Sequence, residues 1–208
     1  MPCNVMVVDD QIMPRQLFEN IINNSQEYEL VASVESASIA DVYCAKMKID
    51  LILMDVVMSG GINGIEAAAR IKASYPDIKI LVVTSMPDGS FLEKARKAKV
   101  DSFWYKEIQD VPLLEIMDRT MAGESVYPDN APIVSIGTAK STDFTNRELE
   151  VLRYVAAGYS DKEIAQMLVI SYGTVRAHLN NLLQKTACAS RTELAILVAK
   201  TGIVVPEI

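Results

Sequence analysis

The amino-acid sequence predicts an α/β body built on a doubly wound, five-stranded parallel sheet, followed by a small all-α body of four helices. Three observations carry this. Short β-rich runs at 4–8, 29–34, 51–54, 80–83 and 102–105 alternate with amphipathic stretches up to about residue 121, the pattern of crossover units around a parallel sheet. Three of the runs, "VMVV", "LILM" and "ILVV", are continuously apolar, as strands covered on both faces must be. Beyond residue 141 the strand signals vanish and helix-capping sequences replace them.

The first run exits directly into Asp9 and Asp10, and a helix is expected near 14–23. The second precedes a helix near 38–47. The third exits into Asp55, with the loop "SGGING" leading to a helix near 64–74. The fourth exits into Thr84 before a helix near 90–98, and the fifth into Lys106 before a helix at 111–121. The stretch "GESVYPDNAPIVSIGTAKS" mixes Pro, Gly and Ser without clear periodicity and reads as a linker. The expected division is therefore 1–122, a linker at 123–141, and a second body at 142–208. In that second body Thr145-Asn-Arg-Glu148 and Ser160-Asp-Lys-Glu163 are capping boxes, in which hydroxyl and carboxylate satisfy each other's orphan backbone N–H groups. Phe144/Leu149 and Tyr159/Ile164 flank them as hydrophobic staples, and Ile170/Val175 do the same around a third cap, Ser171. Gly158 stands where a helix C-cap favours a left-handed residue, and a fourth helix is expected at about 192–200.

Composition narrows the function classes. At 208 residues the chain is long for one core and suits two modest domains. Its three cysteines, Cys3, Cys44 and Cys188, are far apart, with no CxxC pair and a single histidine, which argues against a disulfide framework or a Cys/His zinc site. No apolar run approaches the ~20 residues needed to span a bilayer, so a cytoplasmic protein without a membrane partner is expected. The net charge of −7 argues weakly against nucleic acid, but its distribution matters more.

In an open α/β sheet ligands bind at the carboxyl ends of the strands. In the common 2-1-3-4-5 order the first and third strands are neighbours, so Asp9, Asp10 and Asp55 converge, with Thr84 and Lys106 facing them. Two ionised carboxylates about 4–5 Å apart repel by roughly 4 kcal/mol at an effective dielectric of about 20, so something must compensate. Singly, each residue has an ordinary explanation: an aspartate after a strand is commonly a turn or cap residue, and a strand-end lysine is commonly solvated. Together they suit a hard, oxygen-seeking cation such as Mg²⁺, with a lysine and a hydroxyl opposite for phosphoryl oxygens. The chemistry indicated is phosphoryl transfer, where positioning and charge neutralisation do most of the catalysis.

"VVDD", "LILMDVVM", "VVTS" and the lysine after the fifth strand resemble the receiver domain of bacterial two-component response regulators, over roughly residues 4–121. The resemblance implies that Asp55 accepts a phosphoryl group from the phosphohistidine of a sensor histidine kinase. It implies that Asp10 and Asp55, with the backbone carbonyl of Val57, bind Mg²⁺ directly, while Asp9 acts mainly through water. Lys106 would pair with the phosphoryl group, Thr84 would donate its hydroxyl to it, and Phe103 matches the aromatic that reorients when Thr84 moves. The chain departs from the family at Ser59, where proline is preferred, and by one extra residue before Gly64. Lys99 and Ser102 occupy customary glycine positions, Trp104-Tyr105 replace aliphatics, and Glu107 follows the lysine. These bear on the loop beside Asp55 and on the switch face; no reacting group is lost.

The third helix of the tail, "YGTVRAHLNNLLQK", places Val175, Leu179 and Leu182 on one inward stripe. Residues 142–208 hold seven basic and seven acidic residues, so the −7 belongs to the rest of the chain. From Ile164 to Thr192 there is no Asp or Glu, while Arg176, Lys185 and Arg191 fall inside. A carboxylate-free stretch in an acidic protein suits phosphates. "FTNRELEVLRYVAAGYSDKEIAQMLVISYGTVRAHLNNLLQK…SRTELA" closely resembles the LuxR-type (NarL/FixJ) helix-turn-helix domain. By that resemblance 161–168 is the scaffold helix and 172–185 the recognition helix, set in the major groove of double-stranded DNA. Arg176, Ala177 and Asn180 match base-facing positions, and Thr174, Lys185 and Arg191 read as phosphate contacts, which position without specifying. His178 is expected to pack or touch backbone, and Thr186 stands where the family prefers leucine.

The expected function is a transcription regulator switched by phosphorylation of Asp55, not an enzyme, and active as a homodimer reading two half-sites about one helical turn apart. The nearest rival keeps DNA binding but dimerises independently of phosphorylation. A haloacid-dehalogenase-like phosphohydrolase fits less well, since such enzymes carry DxD after the first strand. Dinucleotide binding lacks GxGxxG. An autoinducer sensor would not alternate βα and lead to acidic residues.

Overall fold

Five parallel strands form one sheet: β1 (Cys3–Val8), β2 (Tyr28–Val34), β3 (Leu51–Asp55), β4 (Lys79–Thr84) and β5 (Ser102–Tyr105), in the predicted order β2-β1-β3-β4-β5. The computed structural model describes residues 2–58, 62–106 and 112–204. Ser59, the extra residue before Gly64, Glu107 and the predicted helix start at 111 lie outside them. The crossover helices are α1 (Ile12–Asn23), α2 (Ala40–Lys46), α3 (Gly64–Ser74), α4 (Ser90–Lys97) and α5 (Leu113–Met121), with a 3₁₀ turn at Ala37–Ile39 before α2. On one face of the sheet Val5, Val7, Leu51, Leu53, Leu81 and Val83 pack with Phe18 and Ile22 of α1 and Leu113, Ile116 and Met117 of α5. The alternate residues Met6, Ile52, Met54, Ile80 and Val82 are equally buried. Both faces are therefore covered, which is why these runs are continuously apolar.

Local chemistry sets the element ends. Asn63 Oδ1 accepts the N–H groups of Ile65 and Glu66 and starts α3. Lys99, at the customary glycine position, adopts φ +57° after α4. Asp101 accepts bonds from Lys72 (2.8 Å), Lys79 (3.0 Å) and the Ile80 N–H (2.9 Å), fixing the start of β4 to the approach of β5.

The chain divides into two units, Met1–Ser85 with Ser90–Asn130, and Met86–Gly89 with Ala131–Ile208. The stretch 123–141 reads as a linker because its sequence shows no clear periodicity. It contains a short hairpin, β6 (Ser135–Ile136) and β7 (Ala139–Lys140), followed by a 3₁₀ turn at Ser141–Asp143. Ile136 and Ala139 enter the core of the second unit. Two-residue strands are too short to show a period, so the sequence carried no signal for them. Gly137 makes the hairpin turn at φ +57°, and a Cβ there would lie 1.9 Å from the carbonyl oxygen of Thr186. The helices α6 (Asn146–Ala156), α7 (Asp161–Met167), α8 (Tyr172–Thr186) and α9 (Arg191–Thr201) complete this unit. Both predicted capping boxes form, Thr145 with Glu148 and Ser160 with Glu163, and Ser171 caps α8. Val175, Leu179 and Leu182 are buried as a stripe. Thr186 is buried too: its hydroxyl donates to Leu182 O at 2.8 Å, and its carbonyl accepts the Thr138 N–H at 3.2 Å.

Candidate functional site

Three strand ends deliver three carboxylates to one rim of the first unit. Oxygens of Asp9, Asp10 and Asp55 lie within 4.8 Å of one another, with Asp9 and Asp55 buried and Asp10 half-buried. Lys106, the residue after β5, reaches back across the switch point. Its ammonium donates to Asp9 Oδ2 at 2.7 Å and lies 3.0 Å from Asp55 Oδ1, while its backbone N–H donates to Thr84 O at 2.8 Å. The Phe18 ring sits 5.6 Å below the same ammonium. The Lys106 ammonium pairs with Asp9 and Asp55, and three hard oxygen donors at this spacing fit a divalent cation such as Mg²⁺. Burial pushes the Asp55 carboxyl up to about 6, an effect that the neighbouring Lys106 only partly offsets. At neutral pH the carboxylate form still predominates.

The surrounding backbone holds this geometry. Gln11 N–H donates to Asp9 Oδ1 at 2.8 Å, and Arg15 donates to Asp9 O at 2.7 Å. Gly64 N–H donates to Val56 O at 2.9 Å, closing the loop beyond β3, while Val57 is half-buried beside it. Thr84 and Phe103 are buried, with the Phe103 ring 5.1 Å from that of Tyr105. Arg15 escaped the sequence reading. Its only signal was a cation five positions beyond the acidic pair, which nothing in the sequence ties to a backbone carbonyl.

In the second unit α8 presents Thr174, Arg176, Ala177 and Asn180 on its exposed side, opposite the buried stripe, and His178 is half-buried. The Thr174 N–H is held by the Ser171 hydroxyl at 3.0 Å. Lys185 is turned inward: its ammonium donates to Glu148 Oε2 at 2.8 Å and Asp143 O at 2.9 Å and lies 5.9 Å from the centre of the Phe144 ring. Arg191 donates to Tyr159 O and pairs with Asp161 at 3.4 Å. It lines an open cavity of about 390 Å³ with Ser160, Asp161, Lys162 and Tyr172. Lys162 and Tyr172 were not singled out by the sequence reading, because only the fold brings them to Arg191.

The family models agree with this geometry. Residues 5–118 match the response regulator receiver domain, and residues 142–198 match the bacterial regulatory proteins of the luxR family. The chain belongs to the LuxR-type response regulators. Among its relatives the response regulator protein VraR of Staphylococcus aureus is 32% identical over 201 residues, covering 94% of this chain and 96% of that one. A LuxR-family two-component response regulator from Aurantimonas sp. SI85-9A1 is similar in structure, with a TM-score of 0.57 and 25% identity over 61% of this chain and 89% of that one. RcsB of Salmonella enterica serovar Typhimurium, solved bound to a promoter with a phosphomimetic, shares the fold. Its TM-score is 0.60 at 18% identity, over 97% of this chain and 100% of that one. This response regulator is thus a two-component transcription regulator with a receiver domain and a LuxR-type DNA-binding domain. Among the described residues no helix is long and apolar enough to cross a membrane.

Proposed function

We propose that this response regulator is switched by phosphorylation of Asp55, with a sensor histidine kinase as donor, and that it acts in the cytoplasm. The observation that carries the reading is the cluster of Asp9, Asp10 and Asp55 oxygens within 4.8 Å, with the Lys106 ammonium 3.0 Å from Asp55. A carboxylate oxygen of Asp55 attacks phosphorus as the nitrogen–phosphorus bond of the donor phosphohistidine breaks, and the imidazole leaves with the electron pair. Asp10, Asp55 and the Val57 carbonyl would hold Mg²⁺, with Asp9 acting through water; the ion supplies charge neutralisation for the phosphoryl oxygens. Lys106 passes from Asp55 to those oxygens, and the Thr84 hydroxyl donates to them, drawing on Phe103.

For the output, Arg176, Ala177 and Asn180 face the bases of double-stranded DNA from α8, and Thr174 and Arg191 contact phosphates. Lys185, engaged by Glu148, holds the recognition helix in place. A homodimer formed on phosphorylation reads two half-sites about one helical turn apart. The test is labelling by acetyl phosphate: the wild-type protein is labelled with Mg²⁺ and not with chelator, and Asp55→Asn is not labelled at all. Persistent labelling of Asp55→Asn refutes the acceptor assignment. DNA affinity that is indifferent both to Asp55→Asn and to beryllofluoride selects the phosphorylation-independent dimer instead.

A further inference from the structure

The residues after α5 do not leave the receiver unit directly. Among the described residues β5 is the terminal strand of the sheet, with β4 as its one strand neighbour, and residues 124–127 lie along its other edge. Phe103 N–H donates to Val126 O at 2.8 Å. Val126 N–H donates to the hydroxyl of Ser102 at 3.1 Å, which is itself bonded to the Thr120 hydroxyl at 2.7 Å in a fully buried pair. Ser125 donates to Asp101 O at 2.8 Å and Tyr127 to Val100 O at 2.9 Å. Ser102, at a customary glycine position, thus supplies the hydroxyl that anchors this segment.

The same segment grips the aromatic in the middle of β5. The Tyr127 ring lies 6.1 Å from that of Phe103, and the Arg96 guanidinium stands 4.5 Å over the Tyr127 ring. Phe103 is fully buried, so its ring cannot move without displacing a neighbour. Three residues further along, Lys106 bonds Thr84 O through its backbone and faces Asp55 with its ammonium. A short, rigid strand therefore carries the Asp55-facing cation at one end and the attachment of 124–127 at the other.

We propose that residues 124–127 are a strap through which occupancy of the Asp55 site acts on the chain leading to the DNA-binding unit. Displacement of Phe103 and release of Tyr127 are one event, and the segment from Pro128 onward is freed with them. The coupling is reciprocal, so loosening the strap also shifts the chemistry at Asp55. This rests on Asp55 being the phosphoacceptor, and the experiment separates the two ideas.

Backbone hydrogen exchange at Phe103 is measured in the full chain, with and without beryllofluoride and Mg²⁺, while fluorine NMR reports whether the mimic is bound. In the wild-type protein, binding is expected to speed exchange at Phe103 by about tenfold, the equivalent of ~1.4 kcal/mol. Tyr127→Ala is expected to raise the basal exchange by a similar factor and to abolish most of the response; Tyr127→Phe, which keeps the ring, retains it. Bound mimic with unchanged exchange at Phe103 overturns the strap alone, as does an undiminished response in Tyr127→Ala. No fluorine signal at Asp55 overturns the acceptor assignment, and the coupling with it.

Discussion

Replacing Gly64 by alanine sets two effects against each other, and the structure decides the sign. Gly64 is the first residue of α3, where alanine is the better helix former by up to about 1 kcal/mol. A Cβ there would stand 1.8 Å from the carbonyl oxygen of Asp55 and 2.9 Å from Met54 Cγ. Real Cβ contacts essentially never fall below 3.0 Å, so the helix and the end of β3 must separate by about 1.2 Å. Neither side is free to retreat, because Gly64 N–H is bonded to Val56 O and the Asn63 cap fixes the first turn. Overpacking of this kind costs about 1–3 kcal/mol, occasionally more. The expected net loss is about 2 kcal/mol once propensity is subtracted. With an m-value of about 1–2 kcal/mol/M for a domain of this size, the urea midpoint should fall by about 1–2 M. The single tryptophan, Trp104, lies in β5 and reports on the receiver unit alone, which avoids treating two units as one transition. Labelling of Asp55 by acetyl phosphate should slow by about a hundredfold, as for a misplacement near 1 Å. A midpoint equal to or above that of the wild-type protein refutes the close-approach argument.

Lys99→Gly should stabilise the receiver unit by roughly 0.5–1 kcal/mol, since relief of left-handed strain exceeds the added chain entropy; a lowered melting temperature refutes this. Asp55 and Asp101 should give opposite pH slopes in metal-free protein. Asp55 is raised to about 6 by burial, so the folded state binds its proton more tightly, and stability falls by roughly 3 kcal/mol as pH rises from about 4 to 6. Asp55→Asn should remove that slope and raise the urea midpoint at pH 7 in chelator. Burial also works against the charged form of Asp101, but the bonds from Lys72, Ile80 N–H and Lys79 outweigh it and hold its carboxyl below the usual range. Its stabilisation is complete above about pH 4 and is lost as pH falls through the depressed value, so Asp101→Asn should flatten the acid limb of the midpoint-against-pH curve. In the second unit Lys185→Met should cost about 2–3 kcal/mol by stranding buried Glu148, with little change in the salt slope of DNA binding. Arg176→Ala should leave stability within about 0.5 kcal/mol and weaken specific binding by about 1–3 kcal/mol.

The parts legible in the sequence were those with a period or a cap. The runs "VMVV", "LILM" and "ILVV" announced strands buried on both faces, and Thr145/Glu148 and Ser160/Glu163 announced helix starts that the structure reproduces. The convergence of Asp9, Asp10 and Asp55 followed from strand order alone, since each stands at a strand exit. What escaped were groups whose partners are distant in sequence and whose own context is unremarkable. Arg15 bonding Asp9 O, Ser102 anchoring Val126, and the inward turn of Lys185 to Glu148 have no local signature. The last is instructive: Lys185 stands in a carboxylate-free stretch, yet the fold brings a buried carboxylate 37 positions away to within 2.8 Å of its ammonium.

That pairing also bears on how an acidic protein can present a DNA-binding surface. Counting charges in the second unit gives balance, yet the acidic half is largely engaged internally. Glu148 is bonded by Lys185 and by the Thr145 N–H, Glu163 accepts the Ser160 N–H, Glu150 pairs with Arg147, and Asp161 pairs with Arg191. Bonds from Lys185 and Thr145 outweigh burial and hold the Glu148 carboxyl below the usual range, so this buried carboxylate stays ionised, with its charge directed inward at a cation. No ion pair engages Arg176 among the described residues, and it stands exposed on α8 beside Ala177 and Asn180. A phosphate approaching that face within a Debye length of about 8 Å meets uncompensated positive charge first. The chain's net charge of −7 is carried outside this unit, whose own acidic and basic residues are equal in number.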